Sequence, residues 1–132
     1  MSLLYAAVIV LRNWFFDTGI LQTTKISVPV ISVGNISAGG TGKTPLVEYL
    51  ARRFRDRGKK VAIVSRGYQR NTRGYVVVSN GRQRCAEAFE SGDEPSQLAE
   101  KLDGVVVVVD EDRVRAAKTV AAEFGVQVVL LD

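Results

Sequence analysis

Val28-Pro29-Val30-Ile31-Ser32-Val33-Gly34-Asn35-Ile36-Ser37-Ala38-Gly39-Gly40-Thr41-Gly42-Lys43-Thr44-Pro45 runs from an apolar strand pattern through a glycine-rich loop into a helical pattern. Strand, loop and helix in that order form the context in which a phosphate-binding loop is credible. Glycines let the backbone curl with its N–H groups turned inward, and the helix N-terminus adds partial positive charge. Lys43 is placed to reach the β- and γ-phosphates of a nucleoside triphosphate, and the Thr44 hydroxyl to ligate Mg²⁺. The cradle is expected to comprise Ser37, Ala38, Gly39, Gly40, Thr41, Gly42, Lys43 and Thr44. The general pattern G-x-x-x-x-G-K-[ST] asks for glycine where this chain has Ser37, and Gly39 and Gly40 supply the flexibility instead.

Outward from the loop, the apolar periodicity predicts an α/β fold. Leu46, Tyr49, Leu50 and Phe54 recur at helical spacing over residues 45–56, with Pro45 in the first turn and Gly58 placed to end the helix. Residues 60–65 and 105–109 have solid apolar centres, as does 126–131, which suits parallel strands covered on both faces. Helical patterns over about 95–102 and 111–124 separate the later strands. Residues 75–79 read as a strand, and Asn80-Gly81 as a hairpin turn with a polar return over 82–86, hence an edge hairpin. Strands alternating with helices predict a mostly parallel sheet flanked by helices.

The chain has 132 residues, a single-domain length, and 46% apolar residues, enough for a buried core and against disorder. A lone cysteine, Cys85, excludes an internal disulfide and fits a reducing compartment; with no histidine in the chain, a metal or catalytic role for it is not expected. Net charge is +4, unevenly spread. Residues 51–84 hold eleven Lys/Arg against Asp56 alone, whereas residues 85–132 hold eleven Asp/Glu against four Lys/Arg. A basic middle suits substrate phosphates or anionic lipid, or simply a solvated helix face. Nucleic acid is the weakest choice, because no pattern of interleaved aromatic residues suggests base stacking.

Leu3–Leu11 is a run of nine apolar residues, followed by Arg12-Asn13-Trp14-Phe15-Phe16. It is too short to cross a bilayer, which takes roughly 20 residues. The segment suits either an interfacial helix anchored by Trp14 and Arg12 or a helix packed on the protein's own core. Residues 1–24 are assigned to this membrane-associating helix and 25–132 to the nucleotide-binding domain. At the other end, Val128-Val129-Leu130-Leu131-Asp132 is an apolar strand tipped by an acid. Beside a phosphate loop such an acid holds Mg²⁺; otherwise it is a cap or turn residue.

The loop and its flanks, Val33 to Pro45, resemble the tetraacyldisaccharide 4′-kinases of lipid A biosynthesis, in which Ser or Thr replaces the first glycine of the general pattern, as Ser37 does here. Three further blocks match in order: Val64-Ser65-Arg66-Gly67-Tyr68, Ser91-Gly92-Asp93-Glu94-Pro95, and Asp112-Arg113-Val114-Arg115-Ala116-Ala117. The resemblance covers nearly the whole chain but only the first part of the family's length. It implies transfer of the ATP γ-phosphate to the 4′-hydroxyl of a lipid-linked disaccharide 1-phosphate, at the cytoplasmic face of the bacterial inner membrane. It implies Lys43 and Asp93 as catalytic groups, Thr44 and Asp132 as Mg²⁺ ligands, and Arg66, Tyr68, Glu94 and Arg113 around the acceptor. From the residues alone, Asp93-Glu94-Pro95 reads equally as a plain helix start. The resemblance further implies that the family's Asp-Asp-Gly-Phe-Gln-His block begins at Asp132, and that its acceptor domain and histidine lie beyond it. The competing reading is a membrane-associated switch ATPase, whose loop carries an extra lysine where this chain has Ala38. A nucleotide-binding fragment without activity of its own is the third. The sequence sets no oligomeric state.

Overall fold

Five strands alternate two-sidedly, and that alternation fixes the layers. In the computed structural model, which describes residues 3–21, 23–34 and 42–132, β1 (Val30–Ser32), β2 (Val61–Ser65), β3 (Val76–Asn80), β4 (Val106–Val109) and β5 (Val128–Leu131) form one sheet in the order β1-β5-β2-β4-β3. β1, β5, β2 and β4 run parallel, with Ile31 opposite Leu130, Leu130 opposite Ile63, and Ile63 opposite Val107. Edge strand β3 is antiparallel to β4 and carries a bulge between Val77 and Ser79.

Successive side chains of a strand point to opposite faces, so the all-apolar strands feed two cores. Val61, Ile63, Val107, Val109, Val128 and Leu130 turn to one face, where Val47 and Ala51 of α2 (Lys43–Asp56) and Leu98 of α4 (Asp93–Lys101) cover them. Ala62, Val64, Val106, Val108 and Val129 turn to the other, under Ala116, Ala117 and Val120 of α5 (Arg113–Phe124). The flanking Ile26 and Val28 join this second core. Burial on both faces is why these strands read as unbroken apolar runs.

The remaining elements depart from expectation in detail. β1 is paired only over three residues, since Pro29 has no N–H to give the ladder. The return of the edge hairpin is a single bridge, Ser79 with Arg84, because Arg84 turns its side chain to Glu100 (2.8 Å) and Ser96 instead of extending a strand. A short helix α3 (Ala88–Ser91), unannounced by periodicity, is held by a capping box between Glu87 and Glu90. α4 begins two residues before the expected Pro95, which fits its first turn where no N–H partner is needed. α5 begins at Arg113 because Asp112 caps it, accepting from the amides of Val114 and Arg115.

The helix α1 (Leu3–Asp17) has no buried residue; Leu3, Leu4 and Val10 are 91%, 77% and 68% exposed. It does not pack into the core. Arg12 lies over the Phe16 ring at 5.7 Å, and Trp14 and Phe15 meet at 5.5 Å between centroids. No helix among the described residues is long and apolar enough to cross a membrane.

Candidate functional site

At the carboxyl ends of β1, β5 and β2 lies a cleft of about 750 Å³, the place where open parallel sheets receive ligands. Ser32, Val33 and Gly34 bring one wall up from β1. Gly42, with φ 76°, turns the chain into α2, so that Lys43 and Thr44 are its first two residues and both line the cleft. A left-handed backbone at this point favours glycine. Of the expected cradle, Gly42, Lys43 and Thr44 are thus brought together; Ser37, Ala38, Gly39, Gly40 and Thr41 lie outside the described residues. Asp132 follows β5 across from them, its amide donating to the Val64 carbonyl at 2.9 Å. Burial, and then the charge of Glu94, push its carboxyl above the ordinary carboxylate range, against the pull of Lys43. Lys43, Glu94 and Asp132 therefore share one electrostatic environment.

The facing wall depends on two glycines. Gly67 and Gly92, at φ 68° and 93°, touch backbone to backbone: a Cβ on Gly92 would stand 2.8 Å from the Tyr68 carbonyl oxygen, and one on Gly67 would stand 2.7 Å from that of Ser91. This contact locks the loop after β2 onto the start of α4. It brings Arg66, Tyr68 and Glu94 to the cleft, with Arg113 added from the first turn of α5. Asp93 opens α4 as an exposed residue and does not line the cleft; its neighbour Glu94 does.

The family profile described as Tetraacyldisaccharide-1-P 4′-kinase matches residues 1–132. The chain belongs to this 4′-kinase family. It is 43% identical over 122 residues to the tetraacyldisaccharide 4′-kinase of Chlorobaculum parvum, covering 92% of this chain and 34% of that protein. With the enzyme of that name from Desulfatibacillum aliphaticivorans it shares 45% over 133 residues, 100% of this chain and 36% of the relative. Among solved structures, LpxK from Aquifex aeolicus, crystallised in complex with ATP, superposes with a TM-score of 0.85 at 42% identity, over 98% of this chain and 41% of that one. The chain thus spans about a third of the length of the curated relatives it matches.

Two arrangements in this 4′-kinase family member escaped the sequence reading. Asp110, at the tip of β4, is fully buried. Burial works to raise its pKa, but hydrogen bonds from Arg115 (2.8 and 2.5 Å) and from the Asp112 amide (3.0 Å) outweigh it and hold the carboxyl below its ordinary value. The signal was present, since Asp110 ends an apolar strand as Asp132 does. The second arrangement pins the loop 70–74. Arg70, its side chain 3% exposed, donates to Glu111 (2.5 Å) and to the Gly74 carbonyl (2.8 Å), while the Gly74 amide donates to the other Glu111 oxygen (2.8 Å). Backbone hydrogen bonds from Glu111's own amide and from Gly74, then Arg70, hold the Glu111 carboxyl down at about 2. No periodicity announces this second arrangement, because it joins Arg70 and Gly74 to Glu111, distant in sequence.

Proposed function

We propose that the protein transfers the γ-phosphate of ATP to the 4′-hydroxyl of a tetraacyldisaccharide 1-phosphate, as the names of its relatives describe. The observation that carries this reading is the convergence of Lys43, Thr44 and Asp132 on one cleft at the carboxyl ends of the parallel strands. In this reading Lys43, at the positive end of α2, takes the β- and γ-phosphates. Catalysis is chiefly positioning and stabilisation of charge on the transferred group.

The residues fit Mg²⁺. Thr44 and Asp132 offer hard oxygen donors on the same cleft, and the Asp132 carboxyl is destabilised as an anion by burial and Glu94, so a cation there relieves it. Among the described residues no cluster of three or more His, Cys, Asp or Glu could hold a metal alone, which suits an ion bound by a carboxylate, a hydroxyl and nucleotide phosphates. When bound, it neutralises phosphate charge. Asp93 is the candidate to accept or orient the acceptor hydroxyl proton, on the exposed first turn of α4, with Glu94 beside it in the cleft. Arg66, Tyr68 and Arg113 complete the acceptor side.

Residues 1–24 form the membrane-associating part and 25–132 the nucleotide-binding part. The wholly unburied apolar helix α1 supports peripheral contact with a lipid surface, assigned to the cytoplasmic face of the inner membrane. The test is label transfer from γ-labelled ATP to the disaccharide lipid by the full-length protein. Lys43→Ala is expected to abolish transfer; Asp93→Asn is expected to lower kcat with little change in KM for ATP. Transfer untouched by Lys43→Ala would sink the reading.

A further inference from the structure

Asp110 stands where β2, β4 and α5 meet, and it is fully buried. Its amide donates to the Ser65 carbonyl at 3.0 Å, which fixes the tip of β4 to the tip of β2; Ser65 and Arg66 line the cleft. Its Oδ1 accepts from the Asp112 amide at 3.0 Å and from the Arg115 guanidinium at 2.5 Å, while its Oδ2 accepts from Arg115 Nε at 2.8 Å. Asp112 in turn caps α5, taking the amides of Val114 and Arg115 on one oxygen. The result is a closed bracket around the first turn of α5, with residues 112 and 115 both held to Asp110.

Arg113 is the residue inside this bracket, and it lines the cleft. Among the described residues its side chain has no hydrogen-bond or ion-pair partner. The backbone of the first turn therefore aims its guanidinium, and Asp110 ties that turn to the sheet. The neighbouring acid has a different task, since Glu111 is turned to Arg70 and Gly74. A strand end does not require a buried carboxylate, because a buried charge carries a desolvation cost that an apolar residue avoids. Nor does the helix require one to begin, because Asp112 already caps it. What the two-point pairing with Arg115 adds is a fixed direction for the turn relative to β4.

We propose that Asp110 is a positioning residue for Arg113: it holds the first turn of α5 through the Asp112 amide and Arg115, so that the Arg113 guanidinium meets the phosphoryl group crossing the cleft. The inference rests on the kinase reading above. Charge on a transferred phosphoryl group spreads over its outer oxygens, and a guanidinium held in place beforehand stabilises it without reorganising. A misplacement of about 1 Å is enough to lose much of that effect. Asp110 touches neither nucleotide nor acceptor; it acts through Arg113.

The experiment is a double-mutant cycle on the full-length protein, reading kcat/KM for ATP at saturating disaccharide lipid. Asp110→Asn is expected to lower kcat/KM about tenfold or more, the size of one lost charge-assisted contact. Arg113→Ala should lower it at least as far. The double variant should fall no more than about twofold below Arg113→Ala, because Asp110 then has nothing left to aim. Arg115→Ala, at a half-exposed side chain, should reproduce both the loss and its dependence on Arg113, and it replaces Asp110→Asn if that variant does not fold. Arg115→Lys should recover part of the loss. Val120→Ala, which truncates a buried side chain of α5 outside the bracket, should lower stability yet leave kcat/KM within about twofold of the parent. Losses that multiply in the double variant, either single variant as fast as the parent, or a Val120→Ala loss equal to that of Asp110→Asn would each overturn the proposal and leave Asp110 a structural tie, with the kinase reading still standing. Absence of transfer by the unaltered protein would instead refute the kinase reading itself.

Discussion

At the scale of single residues, the cleft depends on atoms that are absent as much as on those present. Gly92 has no Cβ where one would stand 2.8 Å from the Tyr68 oxygen and 3.3 Å from the Gly67 carbonyl carbon, and its φ of 93° strains any L side chain. Gly92→Ala is expected to cost about 1–3 kcal/mol in denaturant unfolding. It should also lower transfer activity by displacing Arg66 and Tyr68 from Glu94; an unchanged midpoint and rate would contradict the glycine contact. Asp110 makes a prediction about pH. Its pKa is depressed in the fold, so its contribution to stability is complete above the unfolded value of about 3.9 and lost as pH falls through the lower folded value. Asp110→Asn should therefore flatten the acid limb of stability below about pH 4 and cost about 1–2 kcal/mol at neutral pH. Because Arg115 is half exposed, most of that cost belongs to the buried acid's lost hydrogen bonds and little to the ion pair. A pH titration of thermal unfolding in which the variant parallels the parent through this range would refute the assignment.

Among elements, α1 stands apart from the rest. Each other helix of more than one turn buries residues on the sheet, whereas α1 buries none. Val8 and Leu11 are 56% and 52% exposed, so placing charges there removes no core contact. Val8→Asp with Leu11→Asp is expected to change unfolding free energy by no more than about 0.5 kcal/mol. Each apolar side chain withdrawn from a lipid surface costs roughly 1.5–3 kcal/mol, so co-sedimentation with phospholipid vesicles should fall at least tenfold. A loss of stability with vesicle binding intact would place α1 on the protein's own core after all. The sequence left that choice open, since nine apolar residues suit either surface. It was more decisive elsewhere. The buried strands were legible because Val61-Ala62-Ile63-Val64 and the valines at 105–109 are apolar at every position, a pattern that only burial on both faces explains. α3 was not legible, because four residues are too few to show a period and the capping box of Glu87 and Glu90 lies in a polar segment. The return after Asn80-Gly81 was overread as a strand: the turn signal is local, while the ties of Arg84 to Glu100 and Ser96 are not.

For the whole molecule, the sheet and the site are one construction. The cleft is not a cavity in the core but opens at the carboxyl ends of β1, β5 and β2, where residues from these strands' ends meet the first turn of α2. The motif positions were readable singly, Lys43 and Thr44 from the loop and Asp132 from its strand tip, while Glu94 and Arg113 came only through the family resemblance. Their meeting was not, since it follows from β5 inserting between β1 and β2, a sheet order that no local pattern encodes. This arrangement couples ligand occupancy to the stability of the entire sheet. A nucleotide present at a hundred times its Kd adds about 2.7 kcal/mol to a fold that binds it only when native. For a chain of this length that is a rise in Tm of roughly 10 °C. ATP with Mg²⁺ should produce this rise, and ATP with a chelator a clearly smaller one, because Asp132 then faces the phosphates without a cation between them. Lys43→Ala should abolish the shift while leaving the ligand-free Tm close to the parent's, since Lys43 forms no part of either core. Thermal unfolding across these four conditions decides the matter: a shift that survives Lys43→Ala, or is indifferent to the chelator, would mean that nucleotide binds elsewhere than the cleft at the carboxyl ends of β1, β5 and β2.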